Sequence, residues 1–73
     1  MRSLYDIGVG EIGVVNSLLC KGLIKERMLA LGITKGANIE AIRNGPRDNL
    51  KLFDVRGVML ALRKEESLQI IID

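Results

Sequence analysis

The residues whose spacing most suggests a chemical site are the three glycines of GVGEIG, residues 8–13, which fit the pattern G-x-G-x-x-G. In dinucleotide-binding proteins this pattern joins a strand to a helix, and the N-terminus of the helix holds the pyrophosphate. Here only seven residues precede Gly8, and strand-like residues follow Gly13. The segment LGITKG, about 20 residues further on, also lacks the carboxylate that would bind the ribose. We therefore predict that the glycines form a turn leading into the first strand.

Residue types that bind transition metals or catalyse reactions near neutral pH are scarce. The chain has no histidine and one cysteine, Cys20, so a zinc or haem site lacks its usual ligands. The carboxylates of Asp48, Asp54, Glu65 and Glu66 do not have the spacing of a calcium-binding loop. Without a histidine to activate it, Cys20 is expected to be a small buried thiol. We therefore expect no enzyme activity, no cofactor and no metal site carried by this chain alone.

Composition points to a small folded domain. The 73 residues are 48% hydrophobic and 27% charged, so we expect a single domain over residues 1–73. The 11 basic residues are scattered, and Tyr5 and Phe53 are the two aromatic residues, so a nucleic-acid-binding barrel is disfavoured. No apolar run approaches the roughly 20 residues that cross a bilayer, and no signal peptide is present. A single cysteine fits a reducing compartment. A soluble, cytoplasmic protein is the expectation.

Turn residues divide the chain into short segments that mostly alternate apolar and polar side chains. The predicted strands span residues 12–18, 37–43, 50–56, 58–63 and 68–72. Residues 22–31 instead have helical periodicity, and Gly32 is placed to end that helix in a left-handed conformation. Residues 44–49 form a predicted loop, and residues 64–67 a single helical turn. Five short strands with one helix after the first indicate a mostly β fold, a small SH3-like barrel.

The same patterns predict which side chains are buried. In the first strand, Ile12, Val14 and Leu18 share one face, and the alternation in residues 50–56 slips as a bulge or an edge strand would produce. On the helix, the predicted apolar face is centred on Leu31 and includes Leu23, Ile24, Arg27, Met28 and Ala30.

The helix also carries the candidate contact surface. Arg27 lies within the apolar arc, where its stem could pack on the barrel while the guanidinium reaches solvent, or where it could anchor a partner. Leu29 points away from that arc; a lone exposed leucine is ordinary, but beside Met28 it would give the helix a contact edge. The hypothetical partner-binding residues are Arg27, Met28, Leu29 and Leu31 on the helix and its exit, with Pro46, Arg47 and Asp48 in the loop.

Two longer segments follow a recognisable order. ERMLALGITKG, residues 26–36, resembles the signature Arg-x-Leu-x-x-Leu-Gly-Ile-x-Pro-Gly of the ferrous iron transport protein A (FeoA) family. GPRDNLKLFDVRGVMLALRKEES, residues 45–67, is similar to the second half of that family, with its Pro–Asp loop, glycine turn and Ala-Leu-Arg segment. The sequence departs from the family pattern at Lys35 and Asn49, where prolines are usual, and at Ser67, where alanine is usual.

The resemblance implies an SH3-like barrel that acts in bacterial Fe(II) uptake by binding or regulating the cytoplasmic GTPase part of the membrane transporter FeoB. Such a protein is peripheral to the membrane only through its partner. The alternative is the same barrel as a regulatory module, related to the C-terminal domain of iron-dependent transcriptional repressors. Because the chain starts at Met1 and ends just after the last predicted strand, the first role is expected. The direction of regulation, the oligomeric state and any metal site shared with a partner stay open.

Overall fold

In the computed structural model, which describes residues 2–73 apart from the side chain of Asp48, the chain forms six strands, two α-helices and two 3₁₀ turns. The strands are β1 (Arg2–Ser3), β2 (Ile12–Leu18), β3 (Asn38–Asn44), β4 (Leu50–Val55), β5 (Val58–Arg63) and β6 (Ile70–Ile72). The helices are α1 (Gly22–Ala30) and α2 (Lys64–Ser67), and the 3₁₀ turns span Leu4–Asp6 and Pro46–Asp48. Met1, the first residue of the predicted domain, lies outside the described residues.

The strands form one antiparallel sheet in the order β1-β6-β2-β3-β4-β5. The two halves of β2 pair with different strands: residues 12–14 pair with β3, and residues 15–18 pair with β6. The register with β6 shifts between Val15 and Ser17, and such a bulge bends a strand and increases its twist. Because β2 bends at the bulge, its two halves can pair with strands that run in different directions, and the sheet can curl around one core.

The predicted elements agree closely with the observed ones. The strand predictions for residues 12–18 and 58–63 match β2 and β5. The prediction for β3 is shifted by one residue at both ends, and those for β4 and β6 are one and two residues too long at one end. Helix α1 ends at Ala30, one residue before the end of the predicted helix. Gly32, two residues further on, has a φ of +95°. Strand β1 was not predicted, because a strand of two residues has no periodicity to detect.

The core is formed by the barrel strands and the segments beside them. The largest fully buried hydrophobic side chains are Phe53, Leu4, Ile7, Ile33, Ile39, Ile70, Val15 and Val55. The predicted buried face of β2 is wrong, since Val15 is buried while Ile12 is 57% exposed. The buried face of β2 begins at Gly13, where an added Cβ would lie 3.1 Å from Cδ1 of Ile72. The sequence pattern misses this face because Gly13, at a buried position, has no side chain that would mark it as apolar.

The irregularity predicted for residues 50–56 lies in the neighbouring strand. The register of β3 with β4 shifts between Ala41 and Arg43, opposite Phe53 and Leu52. Strand β4 itself is central, with β3 on one side and β5 on the other. The extra residue therefore belongs to β3, and the prediction of a bulge or an edge strand within residues 50–56 is wrong, because β4 is a central strand whose register with β5 is continuous.

Side chains of β4 and α2 contact the segment that follows β1. Lys51 of β4 donates hydrogen bonds from Nζ to the carbonyl oxygens of Tyr5 (2.9 Å) and Ile7 (2.6 Å). The ammonium groups of Lys51 and Lys64 lie 5.3 and 5.2 Å from the centroid of the Tyr5 ring, within the range of cation–π attraction. Ser67 is fully buried, and its hydroxyl can donate to the carbonyl of Arg63 or of Lys64 at 3.1 Å, which fixes α2 to β5.

Candidate protein-binding surface

The glycine pattern at residues 8–13 forms the predicted turn into a strand. Glu11 donates its N–H to the carbonyl of Gly8 at 2.9 Å, and Gly10, with a φ of +89°, donates to the carbonyl of Ala41 at 2.7 Å. Gly13 already belongs to β2. Because a strand follows the third glycine, no helix N-terminus faces this turn, and the arrangement that holds a pyrophosphate is not formed.

Cys20 is buried against helix α1, as predicted. Its Sγ lies 3.5 Å from Sδ of Met28, so two sulfur-containing side chains pack together under the helix. Within residues 2–73, the described side chains form no group of three or more His, Cys, Asp or Glu that could hold a metal ion.

Helix α1 has the apolar face that the sequence predicts, but this face is turned largely to solvent. Only Met28 is buried, at 3% exposure, whereas Leu23 is 83% and Ile24 58% exposed. At 100° per residue, Leu23, Ile24, Arg27 and Leu31 lie within one 100° arc. The prediction that this face packs on the barrel therefore holds only for Met28, which is the one buried side chain of α1.

We call the set Leu23, Ile24, Arg27 and Leu31 the α1 face. All four side chains are exposed, and within the described part of the chain the guanidinium of Arg27 has no hydrogen bond or ion pair. Contiguous exposed apolar residues around an arginine are typical of a surface that is covered in a complex.

Two cavities border α1 and separate it from α2. One of about 430 Å³ is lined by Leu19, Cys20, Lys21, Ile24, Glu65, Glu66 and Gln69. The other, of about 500 Å³, is lined by Arg27, Leu50, Ala61, Arg63, Glu65 and Glu66. The α1 face therefore continues into a groove whose far wall is acidic and whose floor is partly apolar.

The predicted loop residues stand apart from the helix. Pro46 and Arg47 are exposed in the second 3₁₀ turn, where Arg47 has a φ of +59°, while the side chain of Asp48 lies outside the described residues. The turn is closed by a hydrogen bond from the N–H of Gly45 to the carbonyl of Leu50 at 2.6 Å. Leu50 also lines the cavity beside Arg27, so the base of the loop, and not its tip, reaches the groove.

The structure thus brings together part of the predicted set and adds residues to it. Arg27 and Leu31 share the α1 face with Leu23 and Ile24, which the sequence assigned to the interior. Met28 is buried, so it supports the helix from beneath. Glu65 and Glu66 were predicted only as a helical turn, and their place across the groove depends on tertiary contacts that no local pattern reports.

Two carboxyl groups with shifted pKa values lie in the N-terminal segment that precedes β2. The backbone N–H of Ser3 donates to Oδ2 of Asp6 at 2.9 Å and lowers the pKa of Asp6. The guanidinium of Arg2 lies 2.7 Å from Oε2 of Glu11 and lowers the pKa of Glu11. Both carboxylates accept hydrogen bonds within the first turns of the chain, which is a structural role.

No helix in the described residues is long and apolar enough to cross a membrane; the longest, α1, has 9 residues.

Comparison with known proteins identifies both the fold and the family to which the sequence is similar. The family model described as FeoA domain matches residues 2–73, which confirms the resemblance noted from the sequence. Among curated proteins, none matches the sequence.

Several solved structures have the same fold. FeoA from Stenotrophomonas maltophilia, complexed with zinc and described as a prokaryotic SH3 domain protein, is 25% identical with a TM-score of 0.88, over 100% of this chain and 91% of that one. The FeoA protein from Chlorobium tepidum is 22% identical with a TM-score of 0.90, over 97% and 68% of the two chains. A manganese-dependent transcriptional repressor in complex with manganese is 14% identical with a TM-score of 0.87, over 99% of this chain and 35% of the repressor. The SH3-like barrel predicted from the sequence is confirmed.

Proposed function

Because the chain belongs to the FeoA domain family, we propose that it is an accessory protein of bacterial ferrous iron uptake. In this role it catalyses no reaction and works in the cytoplasm by binding the cytoplasmic GTPase region of a FeoB-type membrane transporter. The similar FeoA from Stenotrophomonas maltophilia has been proposed to act as a ferrous iron transport activating factor, which supports a role of the same kind here.

The observation that carries the proposal is the exposed α1 face. Burying a leucine or isoleucine side chain that was exposed contributes about 1.5–3 kcal/mol. Leu23 and Ile24 do not gain this contribution within the described chain, since they are 83% and 58% exposed. A partner that covers them recovers it, and a carboxylate on that partner could pair with Arg27.

The proposed contact set follows from this geometry. Arg27 and Leu31 stay proposed contacts and are joined by Leu23 and Ile24 on the α1 face. Leu29, 41% exposed, points away from that face and stays a proposed contact on another side of the helix. Met28 supports the surface from beneath. The loop residues Pro46, Arg47 and Asp48 stay a proposed secondary contact, separated from the α1 face by Leu50 and the groove beside it.

A matched pair of variants tests the surface. Ile24→Glu places a charge on the α1 face, and Val9→Glu places the same charge at a valine of similar exposure, 56%, in the glycine turn. Calorimetric titration against the purified cytosolic domain of a FeoB-type transporter should show at least a tenfold loss of affinity for Ile24→Glu and no loss for Val9→Glu. Circular dichroism establishes that both variants are folded. Equal affinities of the two variants and the parent protein would exclude the α1 face as the contact.

The repressor module is the second candidate, favoured by the similarity to the manganese-dependent repressor over 99% of this chain. It predicts that the chain associates with a DNA-binding domain and not with a transporter. Co-purification from cells of a DNA-binding protein, with the transporter domain failing to bind the pure chain, would select this role.

A further inference from the structure

The two edge strands of the sheet differ in how they are protected against pairing with another chain. Strand β1 has 2 residues and includes Arg2, and short or charged edge strands are common ways to prevent such pairing. Strand β5, at the other edge, has 6 residues, and the first five, VMLAL, include no charged residue and no proline. Its register with β4 is continuous, so no bulge twists this edge away. Strand β5 therefore lacks the features that keep an edge strand unpaired.

The register shows which backbone groups of β5 point outward. Lys64 donates its N–H to the carbonyl of Asn49 at 2.9 Å, so these two residues form a hydrogen-bonded pair. In an antiparallel ladder such pairs alternate with pairs that are not hydrogen-bonded. Counting back in twos from Lys64, the residues that bond to β4 are Leu62, Leu60 and Val58. The residues whose backbone groups point away from the sheet are therefore Met59, Ala61 and Arg63.

Helix α2 satisfies one of these three outward-pointing residues. Glu66 accepts the N–H of Arg63 at its Oε1 (2.7 Å), and the hydroxyl of Ser67 donates to the carbonyl of Arg63 (3.1 Å). Met59 and Ala61 are exposed, and their outward N–H and C=O groups have no partner in the described part of the chain. The open edge therefore contains two residues with free backbone groups, and it ends at α2 on one side and at the β4–β5 turn on the other.

We propose that the β5 edge pairs with the β5 edge of a second copy of the chain, antiparallel and across a two-fold axis, so that the two sheets become one. Met59 of each copy would lie opposite Ala61 of the other, and each of these pairs would exchange two backbone hydrogen bonds. This inference goes beyond the proposed function, because it concerns a surface other than the α1 face and a partner other than a transporter.

Only one register satisfies the open backbone groups of both copies. If Met59 lay opposite Met59 of the other copy, Ala61 would lie opposite Gly57, which belongs to the turn before β5. If Ala61 lay opposite Ala61, Met59 would lie opposite Arg63, whose N–H is already accepted by Glu66. A register shifted by one residue would place an outward-pointing residue opposite one that bonds to β4. Pairing Met59 with Ala61 avoids all three conflicts.

The side chains brought opposite each other in this register are apolar. Val58 would lie opposite Leu62 of the other copy, and Leu60 would lie opposite Leu60 at the two-fold axis. Val58 and Met59 are 53% and 54% exposed, so pairing would cover apolar surface that a single copy leaves in water. Packing between cross-strand neighbours of this kind stabilises a sheet.

The basic residues that flank this apolar stretch are directed to contacts within their own chain. The guanidinium of Arg56, in the turn before β5, donates to the hydroxyl of Thr34 at 3.1 Å. The ammonium group of Lys64, in α2, lies 5.2 Å from the centroid of the Tyr5 ring. Residues 58–62, which would form the paired stretch, contain no charged side chain. Self-pairing therefore places no like charges directly opposite each other within that stretch.

The length of the open edge favours a second copy over a longer strand. A strand that continued past Arg63 would meet α2, which begins at the next residue. In the proposed register, the chain of a second copy instead turns at Gly57, directly opposite Arg63. Strand β5 of a second copy therefore ends where the open edge of the first one ends.

Concentration dependence tests the pairing with the full chain. One short strand per copy is smaller than a standard interface of about 800 Å² per partner, so a weak dimer is expected. Amide hydrogen exchange of Met59 and Ala61, followed by NMR, should be at least twofold slower at about 1 mM protein than at about 50 µM. Sedimentation should show a shift from monomer toward dimer over the same range. A chain that stays monomeric throughout would overturn the proposal.

The register is tested in a mixture of isotope-labelled and unlabelled chains. Opposed residues that are not hydrogen-bonded have Cα atoms about 4.5 Å apart, so the α-hydrogens of Leu60 in the two copies should show a nuclear Overhauser effect. Absence of this effect in a sample that sediments as a dimer would overturn the proposal. So would exchange at Met59 and Ala61 that is slow at both concentrations, because these amides would then be bonded within one copy.

Two variants, each with a matched control, show whether the dimer uses the β5 edge. Met59→Lys places a charge on the edge, and Val9→Lys places the same charge at a side chain of similar exposure, 56%, in the glycine turn. Ala61→Pro removes an outward N–H that β4 does not use, and proline is tolerated at such positions, whereas Ala61→Ser keeps the N–H.

Both test variants should raise the dissociation constant of the dimer at least fivefold, and both controls should change it less than twofold. Circular dichroism establishes that each variant is folded. A dimer that Met59→Lys leaves intact would be formed by another surface and would overturn the proposal. Because Ile24→Glu should not affect the dimer, failure of this proposal is distinguishable from failure of the proposed function.

Discussion

The barrel and helix α1 contain similar aliphatic side chains and use them differently. In the barrel, Phe53, Ile39 and Val55 are fully buried, whereas in α1 Leu23 and Ile24 are mostly exposed. The barrel therefore supplies the apolar burial that stabilises the fold, and α1 adds little to it. Substitutions in the two regions should therefore have different effects. Those in the barrel should lower the free energy of unfolding, and those on the α1 face should lower the affinity for a partner.

The largest contrast is expected between Phe53→Ala and Leu23→Ala. Phe53 is fully buried, and its truncation leaves a cavity, so the free energy of unfolding should fall by about 4 kcal/mol. Leu23 is exposed, so the same change there should stay within about 0.5 kcal/mol. Denaturant unfolding measured by circular dichroism gives both values. Comparable losses at the two positions would show that α1 is packed as the barrel is.

Met28 connects α1 to the barrel. Met28→Ala should lower the free energy of unfolding by about 3 kcal/mol, because it removes the contact with Cys20 and leaves a cavity. Its neighbour Leu29 is exposed, and Leu29→Ala should cost less than about 1 kcal/mol. The exchange rates of α1 amides, followed by NMR, should rise in Met28→Ala and stay unchanged in Leu29→Ala. A helix that keeps its protection without Met28 would have a second attachment to the barrel.

Gly45 and Gly8 differ in the space available for a side chain. A Cβ at Gly45 would lie 2.7 Å from the carbonyl oxygen of Leu50, a backbone atom that cannot move freely. Gly45→Ala should therefore lower the free energy of unfolding by about 2 kcal/mol. A Cβ at Gly8 meets no atom within 4 Å, so Gly8→Ala serves as the control and should stay within about 0.5 kcal/mol. Thermal unfolding of the two variants is the measurement.

The smallest effect is expected at the first 3₁₀ turn, which lies outside both regions. Asp6 accepts hydrogen bonds from the N–H and the hydroxyl of Ser3, and Asp6→Asn should cost about 1 kcal/mol at pH 7. The N–H of Ser3 lowers the pKa of Asp6 in the folded protein. The contribution of the carboxylate is therefore present above the unfolded pKa of about 3.9 and is lost as pH falls through the lower folded pKa.

Unfolding measured from pH 7 down to about pH 2 checks this sign, because protonation of the carboxyl removes the advantage of the parent protein. The difference in stability between parent and Asp6→Asn should shrink toward zero at the acid end. A constant difference across the range would mean that the carboxylate charge is not what stabilises the turn.

Local patterns predicted the elements well and their orientation less well. Strand β5 was found because Gly57 and the polar residues 64–67 bound an alternating run. The helical wheel correctly grouped Leu23, Arg27 and Leu31, but an angular grouping does not say whether the group faces the barrel or solvent. That choice depends on where Met28 and the strands before and after the helix place it.

The two features of the groove that the sequence did not predict both depend on strand order. Ala61 lines the cavity beside Arg27 because it lies in the edge strand β5, and Glu65 lines it because α2 follows that edge. Strand order is decided by pairing between residues far apart in the sequence, such as Val15 with Ile72, and periodicity carries no information about it.

The position of β6 has a consequence for protein synthesis. Strand β6 follows all the other strands in sequence, yet it lies between β1 and β2 in the sheet, and its three isoleucines are buried. While a ribosome still holds residues 70–72 in its exit tunnel, β1 has no neighbour and the second half of β2 is unpaired. The nascent chain therefore cannot complete its core until Ile72 has emerged from the tunnel.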